Sequence, residues 1–147
     1  MVKVKFKKLH PNAIIPKQAT PGSSGFDVCL FNENPRGLSL RPNNVALAKT
    51  GLSVEVPKGY EIQVRSRSGM ALKESVFVLN SPGTLDSDYR GEIGVILYNL
   101  SEDDRAFING ERIAQLVVCQ VPEVEIEEVA ELSDTERGAG GYGSTGK

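Results

Sequence analysis

The chain has 147 residues, the length of one ordinary domain, and 39% of them are apolar. A core can therefore form without a metal or a disulfide framework. The formal net charge is -2, whereas a protein that coats nucleic acid carries a basic surface. These values argue against a nucleic-acid partner, and the absence of a long apolar run argues against a membrane span.

Alternating apolar and polar residues recur along the chain and predict half-buried β-strands. The alternating runs cover residues 2–6, 52–56, 60–64 and 93–97, and the more apolar run at 115–121 predicts a buried strand. Residues 70–75 (MALKES) could form one or two helical turns. Short turn signals separate the strands, and this pattern is typical of an all-β sandwich or barrel.

The cysteine and histidine content excludes several kinds of site. Cys29 and Cys119 lie far apart with no CxxC spacing, so we expect two buried, reduced thiols and neither zinc nor a disulfide. The one histidine, His10, lies near the amino end, which argues against a histidine-based triad. The segment MVKVKFKKLH lacks the apolar centre of a secretory signal, and we expect a cytoplasmic protein.

Two internal segments carry groups suited to a nucleotide. The first, VRSRSG at residues 64–69, could offer phosphate a guanidinium, a hydroxyl and an amide, or could be a solvated strand end. The second, NSPGTLDSDYRGE at residues 80–92, contains a turn signal and predicts a hairpin. On a strand Asp86 and Asp88 would share a face, and one could act as a general base. An acidic turn is the alternative.

The composition changes near residue 131, and the segment 132–147 is rich in glycine. Such a segment buries too little apolar surface to order itself, so a flexible terminus is one interpretation. The cation, aromatic ring and hydroxyls of Arg137, Tyr142, Ser144 and Thr145 favour a tail that orders on a ligand. The letters from Gly141 to Lys147 match a P-loop, but no helix follows here, and we reject that interpretation.

Five segments, in this order, resemble the motifs of the trimeric dUTP diphosphatase (dUTPase) family. They are PGSSGFD (21–27), RSG (67–69), NSPGTLDSDYRGE (80–92), GERIAQL (110–116) and RGAGGYGSTG (137–146). The resemblance implies a jelly-roll-like β-barrel over residues 1–131 that forms a homotrimer, and a glycine-rich lid over residues 132–147. In this family each active site lies between subunits, and one chain lends its tail to a site built by the other two.

The resemblance also implies a reaction. The family hydrolyses dUTP to dUMP and diphosphate, with Mg²⁺ as cofactor, which limits uracil incorporation into DNA and supplies dUMP for dTMP synthesis. Asp86 would be the general base that activates the water attacking the α-phosphorus. Asp27 would support the magnesium ion through water, with no direct protein ligand to the ion.

The remaining roles that the resemblance implies concern substrate binding. The phosphate oxygens would be held by Arg67, Ser68, Gly69 and Gln115. The uracil edge would be read by Asn80 and by the backbone around Gly83, Thr84 and Leu85. Tyr89 would lie against the deoxyribose and exclude a 2′-hydroxyl. The tail would contribute Arg137, Gly143, Ser144 and Thr145 over the β and γ phosphates, and Tyr142 would stack on the uracil. Tyr142 stands where the family more commonly has Phe.

Three alternatives remain open on the sequence. A dCTP deaminase-like enzyme shares the fold and the substrate class, although the glutamate context expected of that group is not visible. A non-catalytic nucleotide-binding trimer could share the barrel, although the presence of Asp86 argues against it. A barrel that binds single-stranded nucleic acid would need a basic groove lined with aromatic residues, and only 6% of the residues are aromatic.

Overall fold

The computed structural model describes residues 1–142 and 144. These residues form eleven strands and one short helix. The strands are β1 (Lys5–Lys8), β2 (Lys17–Gln18), β3 (Phe26–Cys29), β4 (Leu38–Leu40), β5 (Val45–Glu55), β6 (Tyr60–Arg65), β7 (Val76–Val78), β8 (Gly83–Leu85), β9 (Glu92–Asn99), β10 (Arg105–Phe107) and β11 (Arg112–Gln120). Helix α1 spans Ser68–Glu74, close to the predicted helical turns.

Two antiparallel sheets enclose the core. One has the strand order β1-β5-β9-β7 and the other β2-β3-β11-β6-β8, while β4 and β10 form a separate pair. Inward residues of both sheets, such as Leu97 on β9 and Ile62 on β6, belong to one buried cluster made chiefly of Val, Ile and Leu. The predicted all-β fold is confirmed. Within the described residues, no helix is long and apolar enough to cross a bilayer.

Two details differ from the sequence-based expectation. The first strand begins at Lys5, so it covers only the second half of the alternating amino-terminal run. The Cys29 and Cys119 thiols are half-buried, where full burial was expected. Burial raises the pKa of the Cys29 thiol, and the neighbouring Asp27 carboxylate raises it further. Both effects disfavour the thiolate.

The segment 80–92 does not form the predicted hairpin. Strand β7 pairs with β9, and β8 pairs with β6. The turn between β7 and β8 therefore carries the chain from one sheet to the other. Asp86 follows β8 and lies in a turn with Asp88, so the alternation that would have placed both on one strand face does not apply. Local turn chemistry predicts a reversal of the chain but does not determine which strands pair.

A buried amide ties the end of β9 to the loop that follows it. Asn99 is fully buried, and its Nδ2 donates to the carbonyl oxygens of Leu40 and Asp103 at 2.9 and 2.8 Å. Its Oδ1 accepts hydrogen bonds from the amide and the hydroxyl of Ser101 at 2.9 and 2.7 Å. The side chain thus satisfies backbone groups that burial would otherwise leave unpaired.

We expect Asn99→Ala to lower the free energy of unfolding by about 2 to 3 kcal/mol, because buried donors and acceptors lose their partners. Guanidinium denaturation at one fixed protein concentration measures the change. Asn12→Ala, at an exposed position, is the control and should leave the midpoint close to that of the parent chain. Equal stability of the two variants would contradict the structural role of Asn99.

Candidate functional site

At one end of the five-stranded sheet, a carboxylate lies between two arginine side chains. Asp27 lies on β3, Arg67 follows β6, and Arg112 begins β11, which runs between those two strands. Asp27 Oδ1 accepts from Arg67 Nε at 3.0 Å, and Asp27 Oδ2 accepts from Arg112 Nη1 at 3.0 Å. Arg67 Nη1 also donates to the Arg112 carbonyl oxygen at 3.2 Å. Two guanidinium groups and one carboxylate leave one net positive charge, which suits an anion.

Gln115 brings an amide to the same end of the sheet. On β11 it pairs in register with Asp27 and with Arg65. Its Nε2 donates to the Ser66 carbonyl oxygen at 2.9 Å, and a Cβ on Gly25 would overlap its Oε1. The amide is therefore fixed between a backbone carbonyl and a glycine without a side chain. It lies beside Asp27, Arg67 and Arg112, which we call the Asp27 cluster.

The loop between β6 and α1 exposes further predicted groups. Ser68 and Gly69 open α1 and are solvent-exposed. Arg65 points elsewhere, because its Nε and Nη2 both donate to Gln63 Oε1, at 3.0 and 2.6 Å. Of the two arginines in the RSRSG segment, Arg67 is therefore the one that contacts Asp27.

The segment around β8 presents Asn80 and a stretch of strand edge. Asn80 lies beside Gly83, since a Cβ on that glycine would be 3.0 Å from Asn80 Nδ2. Leu85 is buried and Thr84 is exposed. Strand β8 ends its sheet, with β6 as its one neighbour in the strand order. Its other edge leaves backbone donors and acceptors available to a ligand.

Asp86 lies at the opposite end of β6 from the Asp27 cluster. It is exposed and lines an open groove of about 770 Å³ together with residues 58–61, 87–88 and 121–123. Leu85 pairs with Ile62, so Asp86 lies level with Glu61. Glu61 and Arg65 are separated by about 13 Å at the rise of an antiparallel strand. One chain therefore does not bring Asp86 and Arg67 together.

Tyr89 closes the turn that follows Asp86. Its hydroxyl donates to the Glu92 carbonyl oxygen at 2.9 Å, and its side chain is 42% exposed. The hydroxyl end of the ring is therefore held against the protein, while part of the side chain remains accessible. Together with Asn80, this ring belongs to the segment that carries Asp86.

The predicted tail residues that the structure describes make hydrogen bonds with their own neighbours in the chain. Arg137 Nε donates to the Gly140 carbonyl oxygen at 2.8 Å, and Ser144 N donates to Gly141 O at 3.1 Å. Tyr142 is fully exposed. Gly143 and Thr145, also predicted to bind phosphate, lie outside the described residues. The described hydrogen bonds of Arg137 and Ser144 therefore stay within the tail.

A divalent cation would find few protein ligands here. In the described part of the chain, no group of three or more His, Cys, Asp or Glu side chains could hold a metal ion. Each Asp27 oxygen accepts one hydrogen bond from an arginine and retains a lone pair. The carboxylate can therefore also accept a hydrogen bond from a metal-bound water, which fits an ion held mainly by phosphate oxygens.

Arg112 was not among the predicted binding residues, although it lies within the GERIAQL segment. Its contact with Asp27 joins positions 85 residues apart, so local spacing in the sequence does not predict it. In the sequence, the signal for Arg112 was its positive charge three positions before Gln115. On a strand that spacing places the two side chains on opposite faces, but the bulge between Arg112 and Ala114 changes the register.

Comparison with known proteins identifies the family. The family model described as dUTPase matches residues 11–146. A deoxyuridine 5′-triphosphate nucleotidohydrolase of Helicobacter pylori (strain P12) is 52% identical over 145 residues, which cover 99% of this chain and 97% of the relative. The protein of that name from Treponema denticola is 53% identical over 141 residues, which cover 96% of each chain.

A solved structure shows the same fold. The Staphylococcus bacteriophage 80alpha dUTPase with dUPNHPP superposes with a TM-score of 0.85, at 28% identity and with 99% of each chain covered. The family match and these relatives confirm the family resemblance that the sequence motifs indicated. The chain belongs to the dUTPase family.

Proposed function

We propose that the chain hydrolyses dUTP to dUMP and diphosphate, with Asp86 as the general base toward the attacking water. The observation that carries the proposal is the similarity over nearly the whole chain to deoxyuridine 5′-triphosphate nucleotidohydrolases. Asp86 suits its role because it is an exposed carboxylate at an open groove. It can accept a proton from water while its neighbours hold the nucleotide.

Recognition of the base rests on the free edge of β8. Its outward backbone groups can pair with the edge of uracil much as a neighbouring strand would. The Asn80 amide supplies a side-chain donor and acceptor beside Gly83. Backbone at Thr84 and Leu85 would lie against the base and leave no space for the methyl group of thymine. Tyr89 covers the deoxyribose.

Recognition of the phosphates rests on the Asp27 cluster. Arg67 and Gln115 are held in fixed positions there, and Ser68 and Gly69 add a hydroxyl and an amide. Phosphoryl transfer needs positioning and neutralisation of charge more than covalent chemistry by the protein. Asp27 would hold Mg²⁺ through a water molecule, and the bound ion would neutralise charge on the phosphate oxygens.

A complete site requires more than one chain. Asp86 and Arg67 lie at opposite ends of β6, as the register of β6 with β8 and β11 requires. The separation is resolved if a neighbouring chain supplies one of these two groups to the site. The geometry calls for a second chain, and the resemblance to trimeric dUTPases makes a homotrimer the proposed assembly, in which each site combines the Asp27 cluster of one chain with the Asp86 segment of another.

The segment that leads to the tail favours such an assembly. Residues 121–132 belong to none of the described strands, and they expose Val124 and Ile126 at 73% and 93%. Glutamates alternate with these apolar residues, whereas the edge strand β1 and the residues before it alternate apolar residues with lysines. Residues 121–132, which we call the arm, and β1 thus have opposite charges at matching spacing. This favours pairing of the arm with β1 of a neighbouring chain.

The arm would carry residues 132–147 to a neighbour's site. There Arg137, Tyr142, Gly143, Ser144 and Thr145 would cover the nucleotide, with Tyr142 on the base and the others on the phosphates. A lid that excludes water strengthens the electrostatic interactions beneath it. Because dUTP arises among the precursors of DNA, the proposal places the enzyme in the cytoplasm, where it would limit uracil incorporation and supply dUMP.

We expect Asp86→Asn to lower kcat for dUTP by roughly 10²- to 10⁴-fold, because the amide cannot accept the proton from water. Release of diphosphate in the presence of Mg²⁺ measures the rate. Asp88→Asn, in the same turn, is the matched control and should stay within a few-fold of the parent chain.

Other outcomes of this assay would reject the proposal in different ways. Full activity of Asp86→Asn would remove this carboxylate from the chemistry. If the parent chain released ammonia from dCTP, it would be a deaminase. Binding of dUTP without release of diphosphate would indicate a non-catalytic trimer.

We expect two inactive chains to restore activity when they assemble together. A chain truncated before Arg137 lacks the lid, and a full-length Asp86→Asn chain lacks the base, but a mixed trimer contains a site with both. Co-expression with two different affinity tags isolates the mixed species for the diphosphate assay.

The matched control for this mixture replaces the full-length partner with a truncated chain that also carries Asp86→Asn. That mixture has no lid and should remain inactive. Mixed trimers that form but do not hydrolyse dUTP would contradict a site shared between chains, and full activity of the truncated chain alone would contradict the lid.

A further inference from the structure

Gly91 is a glycine that its backbone conformation does not require. Its φ is not among the positive values found in the chain, so an L residue could adopt its backbone angles. The residue is also solvent-exposed, and core packing therefore does not explain the absence of a side chain. The explanation lies in a neighbouring group.

That group is the ring of Tyr89. A Cβ on Gly91 would overlap the Tyr89 hydroxyl and would lie 2.6 Å from its Cζ and 2.9 Å from its Cε2. These separations are far below ordinary contact distances between carbon atoms. The hydroxyl end of the ring therefore lies directly against the glycine, and any side chain at position 91 would displace it.

The ring is also fixed at its far end. The Tyr89 hydroxyl donates to the Glu92 carbonyl oxygen at 2.9 Å. Glu92 in turn begins β9, and its Oε1 accepts from the Gly51 amide at 2.9 Å. The next residue, Ile93, is fully buried. The phenol is thus attached to a well-ordered part of the sheet, while part of the Tyr89 side chain remains exposed.

We propose that Gly91 is a specificity-determining positioning residue for discrimination between deoxyribose and ribose. This inference rests on the proposed function, in which Tyr89 lies against the sugar. An apolar surface that can shift discriminates only weakly against a substrate with one additional hydroxyl. Stronger discrimination needs a surface that is held in place. The absence of a side chain at Gly91 gives the phenol the space in which it makes its hydrogen bond to the Glu92 carbonyl oxygen, and a ring held in this way cannot move aside for a 2′-hydroxyl.

The test is the ratio of kcat/KM for dUTP to kcat/KM for UTP. We expect Gly91→Ala to lower this ratio by roughly 10-fold, an effect typical of small steric changes in a binding pocket. Gly94→Ala is the matched control, because Gly94 lies three residues further along the chain, on β9. Its Cβ would meet Leu47 Cδ1 at 2.7 Å, but that atom ends a flexible side chain that is 61% exposed. The control should keep the parental ratio.

A double-mutant cycle separates this role from general disturbance of the turn. Tyr89→Ala removes the ring, so adding Gly91→Ala to it should cause no further loss of discrimination. A parental ratio in Gly91→Ala, or losses that add in the double variant, would overturn the inference. A parent chain that does not hydrolyse dUTP would instead defeat the proposed function.

A second variant covers the case in which Gly91→Ala does not fold. Tyr89→Phe keeps the ring and the glycine but removes the hydrogen bond to the Glu92 carbonyl oxygen. Because the hydrogen bond that holds the ring is lost, we expect Tyr89→Phe to lower the dUTP-to-UTP ratio of kcat/KM a few-fold. Its thermal midpoint should stay close to that of the parent chain. An unchanged ratio in a folded Tyr89→Phe chain would also overturn the inference.

Discussion

The antiparallel register of β6 determines how this protein can work. It fixes Leu85 opposite Ile62 on one side and Arg65 opposite Gln115 on the other. Hydrogen bonds along both edges prevent the strand from slipping, because a shift by one residue would turn its buried face outward. The carboxylate proposed for catalysis and the cluster proposed for phosphate therefore cannot approach each other within one chain. In the proposed site, assembly is therefore part of the chemistry and not only of stability.

The charge balance at the Asp27 cluster suits the binding of a phosphate group. A single carboxylate orients two guanidinium groups and still leaves a net positive charge for the nucleotide. Solvent screens the contact with Arg67, whose side chain is 25% exposed, less than it screens a surface ion pair. Gln115, held by the Ser66 carbonyl oxygen, adds a neutral donor. Rigid donors of this kind require little reorganisation when a triphosphate binds.

Features that depend on local pattern were predictable from the sequence. Alternation gave the strand pattern and the all-β class, and MALKES indicated the helix that the structure places at Ser68–Glu74. Features that depend on pairing between distant segments were not. The turn at residues 81–83 suggested a hairpin, yet its flanking strands join different sheets. The Arg112 contact with Asp27 likewise spans most of the chain, so only the fold could reveal it.

The two bare glycines beside predicted site residues show what sequence patterns cannot distinguish. Glycine in a motif is usually attributed to unusual backbone angles or to close approach of a ligand. Neither Gly25 nor Gly91 has a positive φ. Each instead lies under a side chain of the same protein, Gln115 in one case and Tyr89 in the other. Their common property is that they give a polar or aromatic group one fixed position, and a fixed position is what discrimination between similar substrates requires.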